Sequence, residues 1–436
     1  MIKAMNLKNN LLLLFLSSYA FSLTAQIEPA AGQWKTWFAG PVKDYRLPKP
    51  VATKNEVEQV LKAQQQLDSA ALQQIAYWNA GAPGYRWQQM IQGLWMSAGN
   101  VETGIHAFML IGTATYDATV IAWDNKYHYK RLRPYEADRR VQLKIPAPNS
   151  PSYPCEHAVA AGVASTLIAH FYPQLADSVH QMAQRAMASR VAAGVAYPGD
   201  TQAGFELGKK VAEKALETTK NYTQTAPWDG TRPDKPEVWQ GKRPIAPMAG
   251  KWKTVCLESG DEFRPGPPPD YAAEMAELKN FKPNFMTSSN AFFYAFHSFW
   301  DELLHTKIFE YNLHLNPPRA AQIYALAAIG YYDGFIACWD AKYTYWGTRP
   351  DQYDPDYKPV IMITPPFPGY PSGHAAISAV MAELYASFFP AERAYFQQKA
   401  EESAESRFQA GIHFRTDNEV GLELGRKVGA AILQRK

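Results

Sequence analysis

The feature that most constrains this 436-residue chain is that it carries one pattern twice. Tyr116-Asp117 and Trp123-Asp124-Asn-Lys126 return as Tyr332-Asp333 and Trp339-Asp340-Ala-Lys342, and Arg133-Pro134 returns as Arg349-Pro350, all at an offset of 216. One residue is then gained. Tyr153-Pro-Cys-Glu-His157 returns as Tyr370-Pro-Ser-Gly-His374, Phe171-Tyr-Pro173 as Phe388-Phe-Pro390, and Ser189-Arg190 as Ser406-Arg407. Gly204-Phe-Glu-Leu-Gly208 returns as Gly421-Leu-Glu-Leu-Gly425. A repeat of this length means two similar supersecondary units.

The units read as helical. Residues 55–80 are polar and helix-friendly, and the segments 86–126 and 291–342 carry apolar residues at helical spacing. Pro-rich loops follow Arg133-Pro134 and Arg349-Pro350, and there is neither a nucleotide-binding glycine loop nor a strand-rich region. The expectation is an all-α chain of two similar bundles, 26–224 and 291–436. A connector of irregular structure, 225–290, joins them; its Trp228, Trp239 and Trp252 suggest that it packs on the bundles. A hydrophobic content of 47% over this length is enough for one or two sizeable cores.

The second copy holds a concentrated set of functional groups. Lys342 stands seven residues before Arg349-Pro350, and 20 residues separate that pair from Pro371-Ser372-Gly373-His374. A further 31 residues lead to Ser406-Arg407, with His413 six beyond the Arg and Asp417 four beyond that. Three cations, a hydroxyl, a glycine N–H and two imidazoles are suited to gripping a tetrahedral or trigonal-bipyramidal oxyanion and doing chemistry at its centre. Two guanidiniums each offer paired donors to equatorial oxygens, and a Lys adds a point charge. Ser372 can donate its hydroxyl, and Gly373 its N–H with no Cβ to hold the anion off. The run from His374 to Leu384 reads as a helix, so the Ser-Gly-His segment lies at a helix N-terminus, where anions are favoured. One histidine must attack or ligate the central atom, and the other must handle protons at the opposite apex. Asp417 either holds the His413 ring in one tautomer or is a first-turn acid, since Thr416-x-x-Glu419 has the form of a capping box.

These three motifs, in this order and spacing, resemble those of the superfamily joining the vanadium-dependent haloperoxidases to the type 2 phosphatidic acid phosphatases and bacterial acid phosphatases. The resemblance covers at least residues 322–434, and the words Thr-Pro-Pro-Phe-Pro-Gly-Tyr-Pro-Ser-Gly-His (364–374) and Trp339 look like the soluble haloperoxidases. It implies that Lys342, Arg349 and Arg407 neutralise equatorial oxygens, with Ser372 and Gly373 hydrogen-bonding them. It implies His413 as the axial ligand of vanadium in vanadate, or the nucleophile toward phosphorus, and His374 as the acid–base residue opposite. Phe367 falls where chloroperoxidases carry Phe and algal bromoperoxidases an additional His. Phe367 and Trp339 are thus candidates for a halide pocket, and equally for core aromatics. The first functional expectation is halide oxidation by hydrogen peroxide at a bound vanadate. The alternatives are an acid phosphatase acting on phosphomonoesters through a phosphohistidine, with no cofactor, and a non-catalytic oxyanion-binding protein.

The first copy is damaged. It keeps Lys126, Arg133, His157, Arg190 and Asp200, but has Ala196 for His413, Cys155 for Ser372 and Glu156 for Gly373. The expectation is a structural partner whose cations converge on Glu156, the carboxylate standing in for the anion.

Outside the repeat, Lys3 and Lys8, the apolar run Leu11–Ala20 and the small residues ending at Ala25 read as a cleaved signal peptide, implying a secreted or periplasmic protein. No other apolar run reads as a membrane span; Ile323–Trp339 comes nearest and Asp333 interrupts it. The net charge of +3 does not suggest a nucleic-acid partner. Three cysteines make no disulfide framework, and no Cys/His spacing suggests zinc.

Overall fold

Helices fall into two matching sets in the computed structural model, which describes residues 27–97, 100–235, 237–361 and 364–436. The signal-peptide reading of residues 1–25 lies outside the described residues. The first half contains α1 (Thr53–Gln65), α2 (Ser69–Asn79), α3 (Tyr85–Ser97), α4 (Val101–Tyr129), α5 (Glu156–Phe171), α6 (Ala176–Ala192) and α7 (Pro198–Thr219). The second contains α8 (Ala272–Asn280), α9 (Phe285–Phe296), α10 (Phe299–Glu310), α11 (Pro317–Tyr345), α12 (Gly373–Phe388), α13 (Arg393–Gln409) and α14 (Arg415–Arg435). Helices α4 to α7 correspond to α11 to α14. Among the described residues there is no β-strand, only one isolated bridge between Val238 and Gly347.

The two 29-residue helices, α4 and α11, set the frame. Each starts on an Asn side chain: Asn100 accepts the Thr103 N–H and Asn316 the Arg319 N–H, satisfying orphan donors of the first turn. Each ends on a left-handed residue, Lys130 or Trp346, whose N–H bonds the carbonyl of the motif lysine four residues earlier at 2.8 Å. Both are apolar on every face and almost wholly buried, as expected of central helices. They pack on each other closely enough that a Cβ at Gly112 would lie 2.7 Å from the Ala328 methyl. The stretch Val101–Ala137 contains an 18-residue window apolar enough to cross a membrane by length and composition, but that window is wholly buried inside the protein.

The repeat reaches further than the motifs. Asp117, buried in α4, accepts N–H bonds from Trp37, Phe38 and Ala39 at 2.7–2.9 Å. Asp333, its equivalent in α11, accepts from Val255, Cys256 and Leu257 at 2.7–3.2 Å. Just upstream, 3-10 turns Ala31–Gln33 and Ala249–Lys251 bring Gly32 and Gly250 against the backbones of Asp124 and Asp340, where a Cβ would come within 2.5 Å. The words Ala31-Gly-Gln-Trp-Lys-Thr36 and Ala249-Gly-Lys-Trp-Lys-Thr254 carry this strap in the sequence. So the region expected to be an irregular connector contains the opening strap of the second unit, then α8 and part of α9. Helical spacing also ran across three breaks: 86–126 is α3 plus α4, and 291–342 spans the end of α9, then α10 and α11.

One hydrophobic core crosses the halves, drawing on α4, α5 and α7 as well as α11, α12 and α14. Glycines let α7 and α14 approach their neighbours: a Cβ at Gly208 would lie 2.1 Å from the Val159 carbonyl, and one at Gly425 2.1 Å from that of Ala376. All three cysteines are free and buried.

Candidate functional site

The second-half motifs come together where α11, α12, α13 and α14 meet. Lys342 leaves the last turn of α11, fully buried, and its ammonium donates to the carbonyls of Pro368, Gly369 and Pro371 at 2.6–2.9 Å. Arg349, in the following loop, is also fully buried. It donates to Phe367 O at 3.1–3.2 Å and Ile412 O at 2.8 Å, and its NH1 lies 2.9 Å from His413 Nε2. Arg407, in the last turn of α13, donates to Ala291 O at 2.6 Å and to Ser406 Oγ at 3.0 Å. Among the described residues none of these three cations forms an ion pair.

His413 has its tautomer fixed from both sides. Nδ1 faces the Asp417 carboxylate at 2.9 Å, an acceptor, while Nε2 faces a guanidinium, which can only donate. The proton therefore belongs on Nδ1, and the Nε2 lone pair points toward the cations. Burial first, then the charges of Arg349 and Lys342, hold the imidazole well below its usual pKa, so it is neutral. Asp417 also accepts from the Tyr271 hydroxyl at 2.9 Å and from the Phe414 N–H at 3.2 Å, and its own carbonyl accepts the Ser372 N–H. Burial raises its pKa above the ordinary carboxylate value; the Tyr271 bond and the cations oppose that rise. Both readings of Asp417 are realised, since it is the third residue of α14 and the partner of His413. The Thr416–Glu419 capping box does not form: α14 begins at Arg415, and Thr416 bonds Glu274 instead.

Ser372 caps α12, its Oγ accepting the Ala375 N–H at 3.4 Å. Its hydroxyl proton has no acceptor among the described residues. Gly373 opens the helix; a Cβ there would point at Trp339 and, 3.8 Å away, at the Lys342 side chain. His374 is accessible because a cavity of about 400 Å³ reaches it, while protein packs around the rest of the ring. Burial and the Arg407 charge lower its pKa to about 3. Phe367 and Trp339 line the same cavity, with ring centroids 5.1 Å apart, and Phe367 lies 5.2 Å from both the Lys342 ammonium and the Arg349 guanidinium.

Tyr271 has no counterpart among the sequence motifs. It lies 146 residues before Asp417 in a Pro-rich stretch, and no local pattern marks it. The same holds for the part of α9 that lends the Ala291 carbonyl to Arg407.

The first-half equivalents also converge, around Glu156. Its carboxylate lies 2.7 Å from the Lys126 ammonium and 3.2 Å from Arg133 NH2, all three groups buried. The backbone acceptors match those of the second half: Lys126 to Pro151 O, and Arg133 to Ser150 O and Val195 O. Burial alone would raise the Glu156 pKa; Arg133 and Lys126 outweigh it and carry it far below the carboxylate range. Arg190 bonds Asn79 and the Ile75 carbonyl instead of Glu156. Asp200, with Ala196 in place of a histidine, pairs with Arg131 and Ser152.

Known proteins share this fold. Residues 390–436 match the model of the VCPO second helical-bundle domain, a span that includes Arg407, His413 and Asp417. A bacterial vanadium-dependent iodoperoxidase superposes with a TM-score of 0.60 at 20% identity, covering 89% of this chain and 98% of its own. The holo-type bacterial vanadium-dependent chloroperoxidase gives 0.57 at 14%, covering 77% and 91%. No curated protein matches by sequence. At these identities the likeness to the solved structures is one of fold. The resemblance to the haloperoxidase and type 2 phosphatidic acid phosphatase superfamily thus holds in the all-helical fold and in the C-terminal family match.

Proposed function

We propose that the chain is a vanadium-dependent haloperoxidase-type enzyme, oxidising halide with hydrogen peroxide. The observation that carries this is the contrast between the two copies. The same buried Lys–Arg pair is neutralised by Glu156 in one half and, among the described residues, forms no ion pair with a carboxylate in the other, where a glycine stands instead. Buried cations need a counter-charge, and a vanadate anion fits the donor set. Lys342, Arg349 and Arg407 would hold its oxygens, together with the free Ser372 proton and the Gly373 N–H, and His413 Nε2 would offer its lone pair to the vanadium. Bound there, vanadate would supply the Lewis-acidic centre that activates peroxide.

The chain's own groups divide the rest. Asp417 and Tyr271 hold the His413 ring with Nε2 forward, and Asp417 stabilises the imidazole as charge shifts onto it. His374, neutral and open to the cavity, would take or give a proton to the bound group from the cavity side. Phe367 and Trp339 wall the cavity beside His374 with apolar surface, where weakly hydrated halides would be favoured over water.

The same Nε2 could attack phosphorus, so one paired assay tests the reading. Purified protein is given hydrogen peroxide, halide and vanadate in one arm, and a phosphomonoester without vanadate in the other. Halide oxidation that depends on vanadate supports the proposal. Ester hydrolysis alone would make it an acid phosphatase, and silence in both arms with phosphate binding would leave an oxyanion-binding protein. Export through residues 1–25 belongs to the same proposal, and N-terminal sequencing of the protein recovered outside the cytoplasm tests it.

A further inference from the structure

The cavity that reaches His374 extends well past the oxyanion residues. It runs between α9, α10 and α11 to the first half of the chain, where Trp95 and Ile105 close it. Its volume of about 400 Å³ is that of a site for a small organic molecule, far beyond what a halide needs. The walls are mostly apolar and aromatic, and the one carboxylate among the described lining residues belongs to Asp301. Asp301 of α10, only 6% exposed, lines the same cavity.

That carboxylate is poorly compensated. Oδ2 accepts from Gln92 Nε2 at 3.2 Å and from the Tyr331 hydroxyl at a long 3.5 Å. Among the described residues no cation pairs with Asp301, and Oδ1 accepts no hydrogen bond. A buried carboxylate without a cation is costly; burial pushes its pKa up to about 7. His297, also on the lining, is engaged with Glu302 at 3.3 Å. The proposed haloperoxidase chemistry makes no use of Asp301. Rings of Trp95, Tyr331 and Phe335 stand around the same space, and aromatic faces attract a cation.

We propose that this cavity binds an organic amine with an aromatic body, its ammonium on Asp301 and its body against the Tyr331–Phe335–Trp339 wall that leads to His374. The amine is then the ion-pair partner that Asp301 lacks. As a binding site this stands on the cavity itself; that the amine is a substrate rests on the haloperoxidase reading.

The test is calorimetric titration of the full chain at about pH 8 with 2-phenylethylamine and with 2-phenylethanol, its uncharged counterpart, followed by inorganic phosphate. The amine is expected to bind more tightly than the alcohol by about tenfold or more, a difference typical of one buried charge pair. Asp301→Asn, which keeps the shape and the Gln92 contact, should erase that preference and leave phosphate binding unchanged. Ile377→Trp, which fills the cavity, should abolish binding of both organic probes. An amine bound no better than the alcohol, or an Asp301→Asn protein that keeps the preference, overturns the proposal. If Asp301→Asn does not fold, Ile377→Trp decides: retained amine binding overturns the proposal and lost binding supports it. Absence of phosphate binding would sink the oxyanion reading separately, leaving the amine result to be judged alone.

Discussion

Replacing Glu156 with Gln removes one negative charge from a buried cluster and little else. In the native chain that carboxylate faces Lys126 at 2.7 Å and Arg133 at 3.2 Å, with both cations shielded from water. Removing one partner of such a cluster costs about 3–5 kcal/mol, a large part of the 5–15 kcal/mol that typically separates folded from unfolded chains. Lys126 sets a ceiling on the loss. Burial already lowers its pKa, and with Glu156 gone it can shed its proton at about 1.4 kcal/mol per pH unit. The sign follows. The variant's folded state would bind fewer protons than its unfolded state, so its deficit is largest near pH 7 and shrinks as pH rises toward 10. Urea unfolding of both proteins at the two pH values measures this. The companion variant, Glu156→Gly, copies Gly373 and opens the cluster to an external anion. Phosphate at a hundred times its dissociation constant should then restore about 2.7 kcal/mol. A Glu156→Gln loss below about 1 kcal/mol, with no relief at high pH and no phosphate rescue, would refute the account of Glu156 as an internal counter-ion.

Further outcomes follow from the second half. His413→Ala should reduce either turnover by far more than tenfold, read by the paired assay, because both chemistries need the Nε2 lone pair; retention of a tenth of the rate would remove it from that role. His374→Ala should lower turnover more than it lowers oxyanion affinity, which titration with phosphate or vanadate separates from rate. Oxyanion binding should draw in protons, since an anion raises the depressed pKa of His374 and of Lys342, so affinity should fall as pH rises; calorimetry in buffers of different ionisation enthalpy reads the uptake directly. Asp301→Asn, without ligand, should stabilise the protein above about pH 7 and change little near pH 4. The native carboxylate titrates near 7 in the fold against 3.8 in the open chain, a penalty of up to about 4 kcal/mol present only when it is ionised, and denaturation at the two pH values measures it.

The repeat and the three motifs made the helical architecture and most of the candidate site legible, for a physical reason. Groups that grip an oxyanion must be charged, hydroxylic or glycine, and those types stand out when they recur at fixed spacing. The internal copy added a control, because Glu156 at the position of Gly373 shows what a side chain pointing at the lysine can do. What stayed hidden was held by tertiary approach. Tyr271 reaches Asp417 across 146 residues, and the Ala291 carbonyl reaches Arg407 across 116, without any periodicity to announce them. Asp301 looks like an ordinary first-turn acid of α10, and only the packing of α3 and α11 around it turns it into a buried carboxylate. The straps at 31–39 and 249–257 carry matching words, but the tryptophans and prolines near them have the composition of irregular structure.

The close packing of α4 on α11 means that the protein has no seam along which it could be parted. Severing the chain within residues 237–245 would break no helix and would leave both long helices interlocked at Gly112 and Ala328. The nicked protein should therefore migrate as one particle in native gels and as two fragments only after denaturation. Expressed separately, each fragment would present a long apolar helix face to water, and they should become soluble only when made together. The first half, with Ala196 where the second has His413, is in this sense an assembly chaperone that never leaves.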